Sequence, residues 1–185
     1  MSVIYGERIR LRAVERDDVK KFYVWVNDPE ITRHLALYLP ISTVDEENWF
    51  DSLSKRDQSE KPLAIEIRDG DNWKMIGNCG VFGIDTVSRL GELGIMIGEK
   101  EEWDKGYGTE TMTLLLRHCF ETLNLNRVYL HVYADNLRGK RAYYEKAGFV
   151  EEGRLREAIY KRGHYDDVIV MSVLRSEWIA RKKEK

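Results

Sequence analysis

The chain has 185 residues, of which 43% are hydrophobic and 34% charged, with a formal net charge of −2 at pH 7. This length favours one well-buried domain over two, and the nearly balanced charge gives no reason to expect nucleic acid or an anionic membrane as a partner. No charged-then-apolar leader opens the sequence, and no run approaches the roughly 18 apolar residues of a membrane span, so a cytoplasmic protein is predicted. Cys79 and Cys119 have no metal-ligand spacing and are expected to be reduced, buried thiols.

The N-terminal third predicts a strand followed by helices. Residues 7–14 alternate charged and apolar side chains, as a half-exposed strand does. Helical spacing follows up to a break at residues 27–30, where Pro29 suits the first position of a short second helix. The pattern Thr43-x-x-Glu46 is typical of a capping box and predicts a further helix.

The remaining sequence predicts alternating strands and helices. In chain order these are strands over 63–68, 74–84 and 91–98, a helix to about Leu123, a strand over 127–134, a helix over 138–146, and strands over 149–156 and 167–173. No repeat or linker interrupts this order. We therefore predict one domain over residues 1–185, with a core at about 7–175 and a short, solvated basic tail.

A pair of glycines, Gly106 and Gly108, lies between the strand over 91–98 and the helix that follows it. Glycine tolerates positive φ and has no Cβ, so the backbone can approach a ligand with several N–H groups pointing one way. The unpaired N–H groups of a first helical turn favour an anion. The third glycine of dinucleotide-binding loops and the Gly-Lys-Ser/Thr of NTPase phosphate loops are missing. The pattern predicts a diphosphate-binding turn of another kind, with a plain glycine loop as the alternative.

Two segments resemble the GNAT-type N-acetyltransferases, in particular the branch with ribosomal-protein N-terminal and spermidine acetyltransferases. Trp103 to Gly108 is close to the Gln/Arg-x-x-Gly-x-Gly/Ala pattern of their acetyl-coenzyme A loop, with Trp103 replacing a residue that helps to order the loop in many relatives. Asn136 to Phe149 resembles their Asn…Tyr-Glu-Lys-x-Gly-Phe segment. The resemblance implies an α/β (α+β) domain, with a mixed, mostly antiparallel central sheet of about seven strands flanked by about four helices.

The resemblance also implies acetyl-coenzyme A as cosubstrate, without a metal. Backbone N–H groups of the glycine loop would hold the diphosphate, and the Lys105 ammonium would add a charge. The strand over 91–98 would bind the pantetheine arm where it separates from its neighbour, and Gly94 is compatible with a bulge there. Asn136 would bond to the arm or, as the alternative, only cap a helix. The implied cofactor-binding residues are Met96, Ile97, Lys105, Gly106, Tyr107, Gly108, Thr109 and Asn136.

A tyrosine in the second segment is implied as the acid that protonates the departing thiolate. Counting forward from Asn136 gives Tyr143, whereas counting back from Phe149 gives Tyr144, because the segment carries one extra residue. We favour Tyr144, since its block is intact and the extra residue fits the polar turn before the helix. The alternative is that both tyrosines pack and water protonates the thiolate.

The proton acceptor is less defined by the sequence. Glu92 precedes the cofactor strand and is implied as a general base, with a merely solvated glutamate as the alternative. His131 lies in the middle of a strand and is interpreted as a structural imidazole.

The predicted function is transfer of the acetyl group of acetyl-coenzyme A to a primary amine, by direct attack in a ternary complex. The acceptor is a protein N-terminus or a small-molecule amine, and acidic residues in the helical region that would cover it favour a cationic one. These are Glu30, Asp45, Glu46 and Glu47. The alternative is a non-catalytic acyl-coenzyme A-binding sensor or interaction module. The oligomeric state is left open, a homo-oligomer included.

Overall fold

The computed structural model describes residues 3–141 and 146–183, and an eight-stranded sheet forms its centre. The strands are β1 (Ile4–Tyr5), β2 (Ile9–Ala13), β3 (Leu63–Asp69), β4 (Asn72–Asp85), β5 (Leu90–Ile97), β6 (Arg127–Tyr133), β7 (Val150–Lys161) and β8 (His164–Leu174). Their spatial order is β1-β2-β3-β4-β5-β6-β8-β7. Only β5 and β6 pair in parallel, and every other neighbouring pair in the described sheet is antiparallel.

Helices cover both faces of this sheet. They are α1 (Val19–Val26), α2 (Thr43–Ser52), α3 (Tyr107–Arg117), α4 (Leu137–Arg141) and α5 (Arg175–Lys183). A π-helical turn over His118–Thr122 continues α3. The predicted mixed, mostly antiparallel α/β (α+β) architecture is confirmed, with β1 and α5 as elements that the sequence did not predict.

The two faces of the sheet have separate cores, because side chains alternate along each strand. In β3, Ile65 belongs to the larger cluster with Met112 and Leu115 of α3. Its neighbour Ala64 belongs to a second cluster with Phe22 of α1. Helix α3 therefore covers one face of the sheet, while α1 and α2 cover the other.

The start of α2 lies one residue from its predicted position. The Asp45 N–H donates to Ser42 Oγ at 3.1 Å, and Asp45 Oδ2 accepts the Ser42 N–H at 3.0 Å. Ser42 and Asp45 thus form the capping box that was assigned to Thr43 and Glu46. Glu46 is instead buried, and burial raises the pKa of its carboxyl group.

Two further segments differ from the predictions. The short second helix expected at Pro29 is replaced by a 3-10 turn over Thr32–His34. The basic tail forms the exposed last turn of α5, and Trp178 of this helix packs on the core residue Phe120, with ring centroids 5.8 Å apart. The packed part of the chain therefore extends beyond residue 175.

The two cysteines are buried and form no disulfide. Burial raises the pKa of the Cys119 thiol to about 12, which makes this side chain a poor nucleophile. In residues 3–141 and 146–183, no helix has the length and apolar character needed to cross a membrane. Within the same ranges, no group of three or more His, Cys, Asp or Glu side chains is arranged to hold a metal ion.

Candidate active site

A wedge-shaped gap opens in the sheet where β5 and β6 separate. The two strands pair only from Leu90↔Arg127 to Glu92↔Tyr129. Beyond that point β5 stays with β4 and β6 stays with β8. The gap leads into a cavity of about 860 Å³, a size typical of ligand sites. One edge of β5 after Glu92 therefore faces the cavity without a partner strand.

The sequence was compatible with a bulge at Gly94, but the gap does not arise from one. Gly94 pairs regularly with Gly80, and the register of β4 and β5 shifts only between Phe82 and Asp85. A Cβ on Gly94 would lie 2.9 Å from the Phe82 ring. This glycine therefore makes room for an aromatic side chain, while strand divergence opens the gap.

The glycine loop forms one wall of the cavity. Gly106 has φ of +85°, a conformation that glycine adopts without strain, and it caps α3. The Glu110 N–H bonds to the Gly106 carbonyl at 3.1 Å, so the N–H groups of residues 107–109 precede the helical hydrogen-bond series. Tyr107, Gly108 and Thr109 also line the cavity. These N–H groups and the helix dipole fit an anion such as a diphosphate.

The Lys105 ammonium forms an ion pair beside the glycine loop. Its Nζ lies 2.9 Å from Glu102 Oε2, and Lys74 pairs with the same carboxylate at 3.1 Å. These two cations lower the pKa of Glu102, with Lys105 the larger cause. The Lys105 side chain therefore neutralises an acidic neighbour of the loop.

Arg8, which sequence reasoning missed, holds the back of this loop. Its backbone N–H and its Nε donate to the two carboxylate oxygens of Glu110 at 2.8 and 2.9 Å. Its Nη1 donates to the Lys105 carbonyl at 3.1 Å, and its guanidinium lies 4.8 Å from the Tyr107 ring centroid. Glu110 therefore points away from the predicted phosphate position.

We expect Arg8→Met to weaken coenzyme A binding about fivefold, because the loop loses charge-assisted hydrogen bonds that are half exposed to solvent. Isothermal titration calorimetry measures this change. Arg154→Met is the matched control, since Arg154 pairs with Asp167 and its side chain is 50% exposed, as is that of Arg8. Equal affinities of the two variants would contradict a role for Arg8 in positioning the loop.

Trp103 connects the glycine loop to the neighbouring strand. Its Nε1 donates to the Ile97 carbonyl at 2.9 Å, which ties the loop to the end of β5. The Arg138 guanidinium of α4 lies 3.5 Å from the Trp103 ring centroid. Both side chains line the cavity. The Arg138 contact brings a positive charge to the glycine loop, while the Trp103 hydrogen bond occupies the Ile97 carbonyl.

Asn136 lies on the opposite wall and caps α4. Its Oδ1 accepts the Gly139 N–H at 2.8 Å, so the side chain caps the helix. The side chain also lines the cavity, and its Nδ2 has no hydrogen-bond partner within residues 3–141 and 146–183. The same amide can therefore cap the helix and present a donor to a ligand.

Glu92 and His131 meet at the narrow end of the gap. Glu92 Oε1 lies 2.7 Å from His131 Nδ1, and both residues line the cavity. They project from the sheet face that α1 and α2 cover, as does Met96, which packs against the second cluster. The structure thus joins the predicted base to a histidine that the sequence interpretation treated as structural.

A loop between α1 and α2 covers this side of the cavity. Ile31, Leu35 and Ala36 contribute to the lining. Lys161 of β7 donates to the carbonyls of Thr32 and Leu35 at 2.6 and 2.5 Å, and burial lowers the pKa of its ammonium group. The loop is therefore fixed from the far edge of the sheet.

The acidic residues predicted to surround the acceptor do not line the cavity. Glu30 pairs with Lys100 at 2.8 Å, Asp45 caps α2 and Glu46 is buried in the helix layer. Glu47 is exposed on α2. Residues that are neighbours along a helix face different directions, so the charge pattern along the sequence does not place these side chains in the cavity.

Tyr143 and Tyr144 lie outside the described residues. Helix α4 begins directly after Asn136, with the Lys140 N–H bonded to the Asn136 carbonyl at 3.0 Å. The choice between the two tyrosines stays a prediction.

Comparisons with known proteins agree with this arrangement. The sequence profile of the acetyltransferase (GNAT) domain matches residues 8–150. The spermidine N(1)-acetyltransferase of Vibrio cholerae is 28% identical over 181 residues, covering 96% of this chain and 99% of that protein. The SPbeta prophage-derived uncharacterized N-acetyltransferase YokL of Bacillus subtilis is 31% identical, with 96% and 97% covered. The crystal structure of the Vibrio cholerae spermidine N-acetyltransferase with CoA and spermine has a TM-score of 0.84 at 29% identity, covering 94% of this chain and 99% of that one.

The fold and the gap between β5 and β6 define an acetyl-coenzyme A-dependent N-acetyltransferase. The chain belongs to the GNAT family, as the match over most of its length shows. The alternative of a non-catalytic acyl-coenzyme A-binding module is therefore not retained.

Proposed function

We propose that this enzyme acetylates a primary amine that carries one positive charge beside an apolar group, such as the N-terminus of a peptide or a small monoamine. The observation that carries the proposal is the gap between β5 and β6, which has an anion-binding helix start on one side and the Glu92–His131 pair on the other. The amine would enter on the side of α1 and α2 and attack acetyl-coenzyme A directly.

The residues of the gap fit the cosubstrate. The N–H groups of residues 107–109 precede the hydrogen bonds of α3 and would hold the diphosphate. The Arg138 guanidinium on Trp103 would add a positive charge close to it. The free edge of β5 around Met96 would bond to the pantetheine amides as an added strand does. The Asn136 amide would donate from the opposite wall.

The lining of the cavity supports the choice of acceptor class. Of the acidic residues that the structure describes, three line the cavity, and two of these, Glu102 and Asp104, belong to the glycine loop. Glu92 is then the one carboxylate on the acceptor side, among the apolar side chains of Ile31, Leu35 and Phe82. A second ammonium group of a polyamine would lie against these apolar walls without a counter-charge, which is costly.

A panel of acceptors tests the proposal. We expect kcat/KM for a peptide with a free N-terminus, or for phenylethylamine, to exceed that for spermidine and spermine at least about tenfold. The control for side-chain acetylation is a version of this peptide in which the N-terminus is blocked and one lysine provides the free amine. Release of free coenzyme A gives the rate, and mass spectrometry identifies the acetylated nitrogen. Preference for spermidine or spermine would overturn the proposed acceptor class.

A further inference from the structure

The Glu92–His131 pair has the geometry of an oriented base. Glu92 Oε1 and His131 Nδ1 are 2.7 Å apart. Because an ionised carboxylate only accepts hydrogen bonds, a neutral imidazole in this pair carries its proton on Nδ1 and its lone pair on Nε2. Within residues 3–141 and 146–183, the Glu92 contact at Nδ1 is the hydrogen bond that the ring nitrogens of His131 form. The atom that can accept a proton is therefore free, in a side chain that lines the cavity.

The pair occupies a defined position between the two substrates. Glu92 stands at the last paired position of β5 and β6, and His131 follows two residues beyond its partner Tyr129. The proposed cosubstrate edge of β5 begins immediately after Glu92. The imidazole lies on the face of the sheet that α1 and α2 cover. An amine that enters from this face would therefore pass the imidazole before it reaches the edge of β5.

Other groups around the imidazole do not compete for Nε2. The Tyr129 ring stands at 90° to the His131 ring, 5.7 Å away. The Arg127 guanidinium lies 5.0 Å from the Tyr129 ring centroid and is paired with Glu152 of β7. On β8 the register partner of His131 is the apolar Val170. From the loop that covers the site, His34 is the ionisable lining residue, and it lies 3.2 Å from Asp135.

We propose that His131 is the proton acceptor for the amine and that Glu92 is its positioning residue, an assignment that rests on the proposed acetyl transfer. The neutral amine nitrogen attacks the thioester carbon and forms the C–N bond, and the proton that it loses passes to His131 Nε2. The C–S bond breaks, and its electron pair leaves with the sulfur of coenzyme A. A proton from the tyrosine acid or from water reaches that sulfur, and the imidazolium returns its own proton to solvent.

This assignment explains why the carboxylate is not the direct base. Glu92 Oε1 is engaged by the ring nitrogen at 2.7 Å, so the imidazole stands between it and an acceptor that approaches Nε2. A histidine is also the side chain best suited to accept a proton near neutral pH. The carboxylate would fix the tautomer and stabilise the charged ring, as in other carboxylate–histidine pairs.

Four variants test the assignment. We expect His131→Gln to lower kcat/KM about 10²- to 10³-fold and to remove the ascending limb of the pH–rate profile. Added imidazole is expected to restore part of the activity of His131→Ala. Glu92→Gln is expected to retain the ascending limb, displaced in pH, and to lose less kcat/KM than His131→Gln does. His164→Gln is the matched control, because His164 is an exposed histidine away from the cavity, and it is expected to behave as wild type.

Two measurements separate this role from a structural one. Calorimetric binding of coenzyme A is expected to be unchanged in His131→Gln. Nitrogen-15 NMR is expected to show the Nδ1–H tautomer of His131 in wild type and its loss in Glu92→Gln. An ascending limb that persists in His131→Gln overturns the assignment while the proposed function stands. A wild-type protein that binds acetyl-coenzyme A but acetylates no amine of the panel overturns both.

Discussion

A Gly77→Ala protein is expected to melt roughly 6–12 °C below wild type, which corresponds to a loss of about 3 kcal/mol in unfolding free energy. A Cβ at position 77 would lie 2.0 Å from the Met96 carbonyl oxygen. Gly77 pairs with Ile97 across β4 and β5, so the clashing atom is backbone and cannot rotate away. The two strands would have to separate at the edge proposed to hold pantetheine, so coenzyme A affinity is expected to fall as well.

Gly153→Ala is the control for this substitution. Gly153 also lies in a strand, β7, but a Cβ there would have no heavy atom within 4 Å. We expect its melting temperature to stay within about 1 °C of wild type or to rise, because alanine reduces the entropy of the unfolded chain. Differential scanning calorimetry of both variants measures the difference. Equal melting temperatures would show that β4 and β5 can adapt to the added methyl group.

The sequence predicted those parts of the site that depend on neighbours along the chain. The glycine loop was recognisable because positive φ at Gly106 and an open first helical turn are both local properties. Reasoning from local sequence also assigned the capping box of α2 to the wrong pair of residues. Ser42 and Thr43, followed by Asp45 and Glu46, offer two overlapping capping boxes, and only the packing of the helix selects between them.

Contacts between distant segments were beyond such reasoning. Arg8 and Glu110 are separated by 102 residues, and Glu92 and His131 by 39. The latter pair forms where two parallel strands separate, and the position of that separation depends on strands that are distant along the chain. The steric demand on Gly77 likewise depends on a carbonyl of another strand. The sequence at each of these positions, taken alone, does not indicate the contact that the residue makes.

The second large effect concerns the acid. Tyr144→Phe is expected to lower kcat about hundredfold or more, while Tyr143→Phe stays close to wild type. A tyrosine titrates near about 10 and so carries its proton at neutral pH, as a donor to the leaving thiolate must. Phe149 is buried in the main core, and the Tyr-Glu-Lys-x-Gly-Phe block that ends there is intact. Because this block is intact, we expect the extra residue of the segment to precede Tyr144.

Both variants keep the aromatic ring, so each serves as the packing control for the other, and calorimetry with coenzyme A should give unchanged affinities. In the helix that the sequence predicts over 138–146, successive residues would differ by about 100° in direction, so we expect a single tyrosine to face the sulfur. Loss of activity in Tyr143→Phe alone would place the extra residue after the acid. Wild-type rates in both variants would mean that water protonates the thiolate, and the helix would then supply only binding groups to the reaction.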